Sequence, residues 1–113
     1  MADGSKYEGM YSRGKRNGLG VLIWKDGSKY EGQWQNNLMN GKGVFNWPDG
    51  RTYGGEYLND KMHGYGIYTW SDGKQYEGNW KEGMHHGEGI YRKQGAPDRK
   101  GVWEDGKRIK WVK

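Results

Sequence analysis

Residues 30–52 read YEGQWQNNLMNGKGVFNWPDGRT, and this stretch decides the fold. Tyr30-Glu31-Gly32-Gln33-Trp34 alternates rings and glycine with polar residues, the period of two that a strand with one buried face requires. Gly41 and Gly43 resume the alternation, and Phe45 and Trp47 carry it to Pro48-Asp49-Gly50. A helix would lose about 1 kcal/mol at each glycine. Two short strands bounded by turn residues therefore form a β-hairpin. Proline fixes the turn that follows. A two-residue turn on Asp49-Gly50 would need the amide of residue 48 to pair, and proline has none. A three-residue loop fits instead, with Pro48 presetting φ and Gly50 in the left-handed position of a bulge.

The same 23-residue unit recurs along the chain without insertion. Tyr7, Tyr30, Tyr53 and Tyr76 share one place, which Arg99 takes next. Two residues on stand Gly9, Gly32, Gly55, Gly78 and Gly101, and four on stand Tyr11, Trp34, Tyr57, Trp80 and Trp103. Glycine pairs follow at 18/20, 41/43, 64/66 and 87/89, with Asp-Gly at 3–4, 26–27, 49–50 and 72–73. Residues 1–113 thus form a single domain: units 7–29, 30–52, 53–75 and 76–98, then a capping half-unit over 99–113. The expected fold is all-β, an elongated single-layer antiparallel meander of hairpins. A single unit cannot bury its rings, so neighbours must stack as in a solenoid.

The turn sets the register. With Trp47 opposite Arg51, Phe45 faces Tyr53, Gly43 faces Gly55 and Gly41 faces Tyr57. Closing a loop over 35–40 places Tyr30 opposite Phe45, Gly32 opposite Gly43 and Trp34 opposite Gly41. One row across the sheet is then all glycine, with rings on either side. Fifteen of the 17 aromatics are expected on one face, leaving out Tyr65 and Trp111. The other face takes Glu8, Glu31, Glu77, Gln33, Asn79 and the branched Val21, Val44, Ile67 and Ile90, and is mostly solvated.

Composition agrees. The chain has 113 residues, 22 of them glycine, and its hydrophobic fraction is 32% against the ~45–50% usual for globular domains, glycine included. Mean hydropathy is −1.27, and no apolar run nears the roughly 18 residues of a membrane span or the core of a signal peptide. Disorder is opposed by the 15% aromatic content with seven tryptophans. Absence of cysteine excludes disulfides, cysteine-based zinc sites and thiol catalysis.

Tyr30-Glu31-Gly32-Gln33-Trp34, Asn40-Gly41-Lys42-Gly43-Val44 and Asp49-Gly50 together resemble the MORN repeat (membrane occupation and recognition nexus), over about residues 3–108. Gly54 departs from the pattern in place of glutamate, Gly95-Ala96 in place of Asp-Gly and Arg99-Lys100 in place of Tyr-Glu. The last two departures predict a different final turn and a half-unit that caps the sheet. The resemblance implies a twisted sheet of hairpins with an aromatic groove. It also implies a cytoplasmic place in cytoskeletal, ciliary or membrane-contact assemblies, with partner proteins or anionic lipid as ligands and no catalysis by the repeats themselves. Pairing of two copies is a further implication, since the strand around Tyr7–Tyr11 is an unprotected edge. The chain begins in register at Asp3 and closes on Ile109-Lys110-Trp111-Val112, as expected of a complete protein rather than a fragment of a larger enzyme.

The residues offer no catalytic constellation. His63, His85 and His86 are expected in solvated hairpin loops, with no third ligand to make a metal site beside Glu82 and Glu88. Ser5, Ser12, Ser28 and Ser71 lack a positioned base. Gly41-Lys42-Gly43 lacks the helix of a phosphate loop. No cofactor is expected.

Two surfaces remain. Tyr30, Tyr53, Tyr76, Trp34, Tyr57 and Trp80 are read first as core, but a one-layer sheet has nothing above it. Trp24, Trp47 and Trp70 line one edge of the aromatic face, and Leu38, Met39, Met62 and Met84 project from loops at the other. Together these residues are expected to hold a partner protein, as a helix or an extended segment. The second surface is charged. Residues 1–91 are balanced, so residues 92–113, with eight Lys/Arg against three Asp/Glu, carry the whole net charge of +5. Arg92, Lys93, Arg99, Lys100, Lys107 and Arg108, with Lys110 and Lys113, protect the terminal edge or meet anionic phospholipid such as phosphatidic acid or phosphoinositides. No basic groove runs beside the rings, so nucleic acid is not an expected partner.

Overall fold

A computed structural model describes residues 4–112; Asp3 of the first Asp-Gly pair and Lys113 of the basic end lie outside the described residues. Ten strands follow in order. They are β1 Lys6–Ser12, β2 Lys15–Ile23, β3 Lys29–Gln35, β4 Leu38–Asn46 and β5 Thr52–Leu58, then β6 Lys61–Thr69, β7 Gln75–Lys81, β8 Met84–Arg92, β9 Arg99–Glu104 and β10 Lys107–Val112. Each pairs antiparallel with the next, giving one sheet in the order β1 to β10 with extents of 50 × 24 × 18 Å. This is the expected all-β meander.

The junctions between units close as Pro48 dictates. The amide of Trp47 donates to the carbonyl of Arg51 (2.9 Å), Gly50 donates back to Trp47 (3.2 Å), and Gly50 has φ 98°. The carboxylate of Asp49 then accepts the amide of Arg51 (3.1 Å), as Asp26 does for Ser28 and Asp72 for Lys74. Phe45 faces Tyr53, Gly43 faces Gly55 and Gly41 faces Tyr57. The final junction differs as expected: Gly95-Ala96 sits in a longer loop that closes from Ala96 onto Lys93.

Within each unit the hairpin is tighter than the loop 35–40. Asn36 and Asn37 have φ of 50° and 71°, and the corresponding pairs Arg13-Gly14, Asn59-Asp60, Glu82-Gly83 and Asp105-Gly106 repeat this geometry. Two left-handed residues make a turn whose twist matches that of the strands. Trp34 consequently faces Met39 rather than Gly41, while Tyr30 still faces Phe45 and Gly32 faces Gly43. The difference is absorbed by a bulge in which Asn40, Gly41 and Lys42 stand against Gln33 alone. Gly41, at φ 95°, supplies the left-handed backbone it needs. Leu38, Met39, Met62 and Met84 therefore lie in strands, not loops.

The glycine row runs unbroken across nine strands, through Gly9, 20, 32, 43, 55, 66, 78, 89 and 101. A tyrosine ring lies flat on this lane in each full unit, and a Cβ on Gly43 would stand inside the Tyr30 ring. The ring's far end serves the bulge. Tyr30 Oη donates to the carbonyl of Gln33 at 2.9 Å, and Tyr7, Tyr53 and Tyr76 do the same three residues on, at 2.7–3.0 Å. Rings then cover rings. Tyr30 meets Trp34 at 5.1 Å and Tyr57 at 5.2 Å, both nearly perpendicular, and Tyr53 meets Tyr57 and Trp80 likewise. Tyr30, Tyr53 and Tyr76 have no exposed surface at all. One sheet becomes its own second layer.

Trp111 departs from expectation. It lies on the aromatic face, 6.0 Å from Trp103 and 6.4 Å from Tyr91. In β1–β8 the bulge takes two extra residues, but between Arg108 and Lys110 the register shifts by only one. A slip of one residue flips every side chain to the opposite face. The bulge glycine of the other units (Gly18, Gly41, Gly64, Gly87) is replaced here by Lys110, for which a left-handed backbone is costly. Tyr65 does face away, 49% exposed, its hydroxyl bonded to Glu77.

Two substitutions separate ring packing from glycine content. Gly43→Ala should cost about 2–3 kcal/mol by forcing Tyr30 off the lane. Gly54→Ala, whose added carbon meets only Val44 Cγ2 at 3.8 Å, should stay within about 0.5 kcal/mol of the parent in urea unfolding. Tyr30→Phe, which strips the Gln33 carbonyl of its donor, should cost about 1–2 kcal/mol in the same assay.

Candidate partner-binding surface

The residues proposed for partner contact divide in two. Tyr30, Tyr53, Tyr76, Trp34, Tyr57, Trp80 and Met39 are core, buried among one another and the lane. Burial raises the Tyr30 and Tyr76 hydroxyls to about 12 and those of Tyr53 and Tyr57 further still. Trp34 and Trp80 also spend their indole N–H internally, on the carbonyls of Gly20 (3.1 Å) and Gly66 (3.3 Å). Trp24, Trp47, Trp70 and Met62 are only partly buried, together with Phe45, Tyr91 and Trp111.

The partly exposed rings, with buried Tyr68 between Trp47 and Trp70, form a ladder along the sheet. Trp24 to Phe45 is 5.2 Å, Phe45 to Trp47 4.5 Å, Trp47 to Tyr68 5.5 Å and Tyr68 to Trp70 4.8 Å. Tyr91 and Trp111 extend it at 6.4 Å per step. Against this ladder stand the hairpin tips, held in place by backbone. The amides of Asn37, Asp60, Gly83 and Gly106 each donate to a carbonyl one unit earlier, those of Arg16, Met39, Met62 and His85, at 2.9–3.0 Å. Asp60 returns the favour through Oδ1, which accepts the amide of Met39 at 2.7 Å.

Between ladder and tips lies a trough. One depression of about 180 Å³ is lined by Met39, Phe45, Trp47, Tyr57 and Met62, with Asp60 and Lys61 on its rim. A second of about 330 Å³ adjoins it through Met39 and Asp60 and is lined by Leu22, Trp24 and Trp34. Arg51 stands over Trp47 at 5.0 Å and donates to Tyr68 Oη at 3.1 Å. The floor is apolar and the rim carries both signs of charge.

His85 is not in a solvated loop. It is a strand residue facing Trp80, in the place that Met39 and Met62 hold in earlier units. Its ring lies 4.1 Å from Tyr76 and 4.4 Å from Trp80, and burial pushes its pKa down to about 4. Nε2 finds no hydrogen-bond partner among the described residues. The signal was in the repeat: aligning the units puts His85 under two methionines. His63 and His86 are also strand residues, in β6 and β8, and neither is fully exposed. Among the described residues, no three His, Cys, Asp or Glu side chains come together as metal ligands would.

The basic residues are largely engaged with their own chain. Arg92 pairs with Glu77 and with Asp98 (3.1 Å), and Lys100 with Glu88 (3.4 Å). Arg99 and Arg108 stack on Trp111, 3.9 and 4.4 Å from its ring centre. Among the described residues Lys93 and Lys107 have no ion-pair partner, and they lie apart, in the final junction and beside the Asp105-Gly106 turn.

Four consecutive segments, residues 7–29, 30–50, 53–75 and 76–96, match the family profile described as MORN repeat. No curated protein matches the chain.

Partly buried His85 makes stability depend on pH. Its folded pKa lies below the unfolded value, so its contribution is intact above pH 6.5 and is lost as pH falls toward about 4. Thermal unfolding should show Tm falling across that interval, by the equivalent of about 2–3 kcal/mol. His85→Met should flatten the acid limb and leave Tm at pH 7.5 unchanged or higher. The tyrosines act in the opposite sense: with folded pKa values raised by burial, their contribution is lost as pH rises from 10 through about 12.

Proposed function

Because the chain belongs to the MORN repeat family, we propose that it is an adaptor or scaffold that grips a segment of a partner protein in the trough of its aromatic face, within a cytoskeletal or ciliary assembly. The family is a non-enzymatic repeat family whose members are generally protein- or membrane-binding modules. The observation that carries the reading is the trough itself: Trp24, Phe45, Trp47 and Met62 keep surface where a sheet this economical in hydrophobic residues could have hidden them. Aromatic and methionine side chains in a desolvatable depression, rimmed by Asp60, Lys61 and Arg51, have the composition of an interface centre with a polar surround. An apolar helix face or an extended segment carrying two or three large side chains matches the adjoining depressions.

The basic end supports the second reading, anionic lipid, mainly through Lys93, Lys107 and Lys110, since Arg92, Lys100, Arg99 and Arg108 already have partners. About 1 kcal/mol per basic residue near a charged bilayer makes this a weak attachment.

Co-purification from the native cell followed by titration of the recovered partner decides between them. Trp47→Ala and Met62→Ala, each verified as folded by circular dichroism, should weaken partner binding by about 2 kcal/mol or more. An unchanged Kd in both folded variants rejects the trough. Flotation with phosphatidic acid vesicles at two salt concentrations should leave the protein in the unbound fraction; salt-sensitive flotation abolished by Lys93→Glu with Lys107→Glu would favour the lipid.

A further inference from the structure

The polar face repeats as the aromatic one does, and it breaks its own rule once. A row across the middle of that face runs Glu31, Val44, Gly54, Ile67 and Glu77, each opposite the next. Glutamate alternates with a branched side chain except at Gly54. The third unit carries its glutamate two residues on instead. There Glu56 Oε2 accepts the bulge amide of Tyr65 at 2.7 Å, the task that Gln33 Oε1 performs for Lys42 in the second unit. The vacated place stays empty, since a carbon added at Gly54 meets only Val44 Cγ2.

An open depression of about 520 Å³ lies over it. Its floor is the backbone of Gly43, Gly54 and Gly55. Lys42 and Val44 of β4 wall one side, Glu56 of β5 and Tyr65 of β6 the other. Val44 is 46% exposed, and Tyr65 turns its hydroxyl to Glu77, so both offer carbon to the space between them. On the aromatic side the bare backbone at Gly43 carries the Tyr30 ring. On the polar side, among the described residues, no ring lies on it. Backbone without side chains admits a flat ring at close range.

The charges at the rim select the ring. Lys42 and Glu56 stand opposite each other in the ladder, yet among the described residues they form no ion pair. The Lys42 ammonium has no partner there, and Glu56 Oε1 accepts no hydrogen bond. One wall thus offers donors only and the other an acceptor only. A phenol hydroxyl satisfies both, accepting from Lys42 and donating to Glu56. An indole can only donate, and a phenyl ring does neither.

We infer that this depression receives a tyrosine side chain of a partner protein, on the face opposite the trough. The depression covers one side of such a ring and leaves the other to the partner's own chain. A free phenol would keep that side in water.

Nuclear magnetic resonance titration of the isotope-labelled intact chain with the capped peptide acetyl-GYG-amide tests this. The amides of Val44, Gly54 and Gly55 should shift saturably, with the millimolar dissociation constant of so small a ligand. The corresponding phenylalanine peptide should bind about tenfold more weakly, and p-cresol more weakly than the tyrosine peptide. Gly54→Glu supplies the side chain that Glu31 and Glu77 place in other units. It should abolish the shifts in a protein that circular dichroism shows to be folded. Lys42→Met should narrow the gap between the two peptides to about threefold. The absence of saturable shifts up to the solubility limit overturns the proposal, as does their appearance at Trp47 and Met62 instead. Equal affinity for the phenylalanine peptide, p-cresol binding as tightly as the tyrosine peptide, or indifference to Gly54→Glu in the folded variant also overturns it. None of these outcomes bears on the trough, which shares no residue with the depression.

Discussion

A tyrosine ring lying flat on side-chain-free backbone is the interaction on which this sheet depends. A Cβ on Gly20, Gly43, Gly66 or Gly89 would collide with the ring above it, so the row has to be glycine from β1 through β9. Lying flat also carries the hydroxyl to a carbonyl of the bulge, at Met10, Gln33, Glu56 and Asn79. Lane and bulge therefore require each other. Without the bulge the hydroxyl would lose its acceptor, and without the ring the bulge carbonyl would lose this donor. Perpendicular contacts between the flat tyrosines and the upright rings of the same and the next unit then complete the burial.

Much of this is written in residue types and spacing. The 23-residue period, the strands and the glycine row follow from alternation, and Pro48 alone settles the junction register. The bulge was hidden for a physical reason. A shift of two residues returns every side chain to its own face, so the pattern of rings and glycines reads the same with or without it. The one-residue shift at Lys110 does change the face, which brings Trp111 to the rings although the pattern of the other hairpins puts it on the polar side. The missing bulge glycine was the available signal. A histidine's polarity points to a solvated loop, whereas the place of His85 in the unit, shared with Met39 and Met62, is one packed on the rings.

The candidate site was legible only as a face. Alternation assigns rings to one side but cannot say which of them the curl of the sheet will close over. Tyr30, Tyr53 and Tyr76 vanish because each lies on the lane with rings from two units above it. Trp24, Trp47 and Trp70 retain surface because they sit at the junction ends, beyond the last lane position, with only the ladder beside them. The tip contacts from Asn37, Asp60, Gly83 and Gly106 set the opposite wall, and they involve main-chain groups that no side-chain pattern reveals.

The same rule that builds the sheet also ends it. A new hairpin can be added only where a bare lane is offered, and the half-unit withdraws that offer by losing one glycine. With Lys110 in the bulge position the register slips by one, and the indole of Trp111 rotates onto the lane beside Gly101. The intruding ring then covers Trp103 and is itself held by Arg99 and Arg108. Charges that look like a binding patch in the sequence thus have a structural task at the closed end: they clasp the indole that stops the row and discourage strands from pairing beyond it. Among the described residues no comparable device stands on β1, where Gly9 remains bare and Tyr11 remains exposed. The asymmetry is built from local chemistry at two positions.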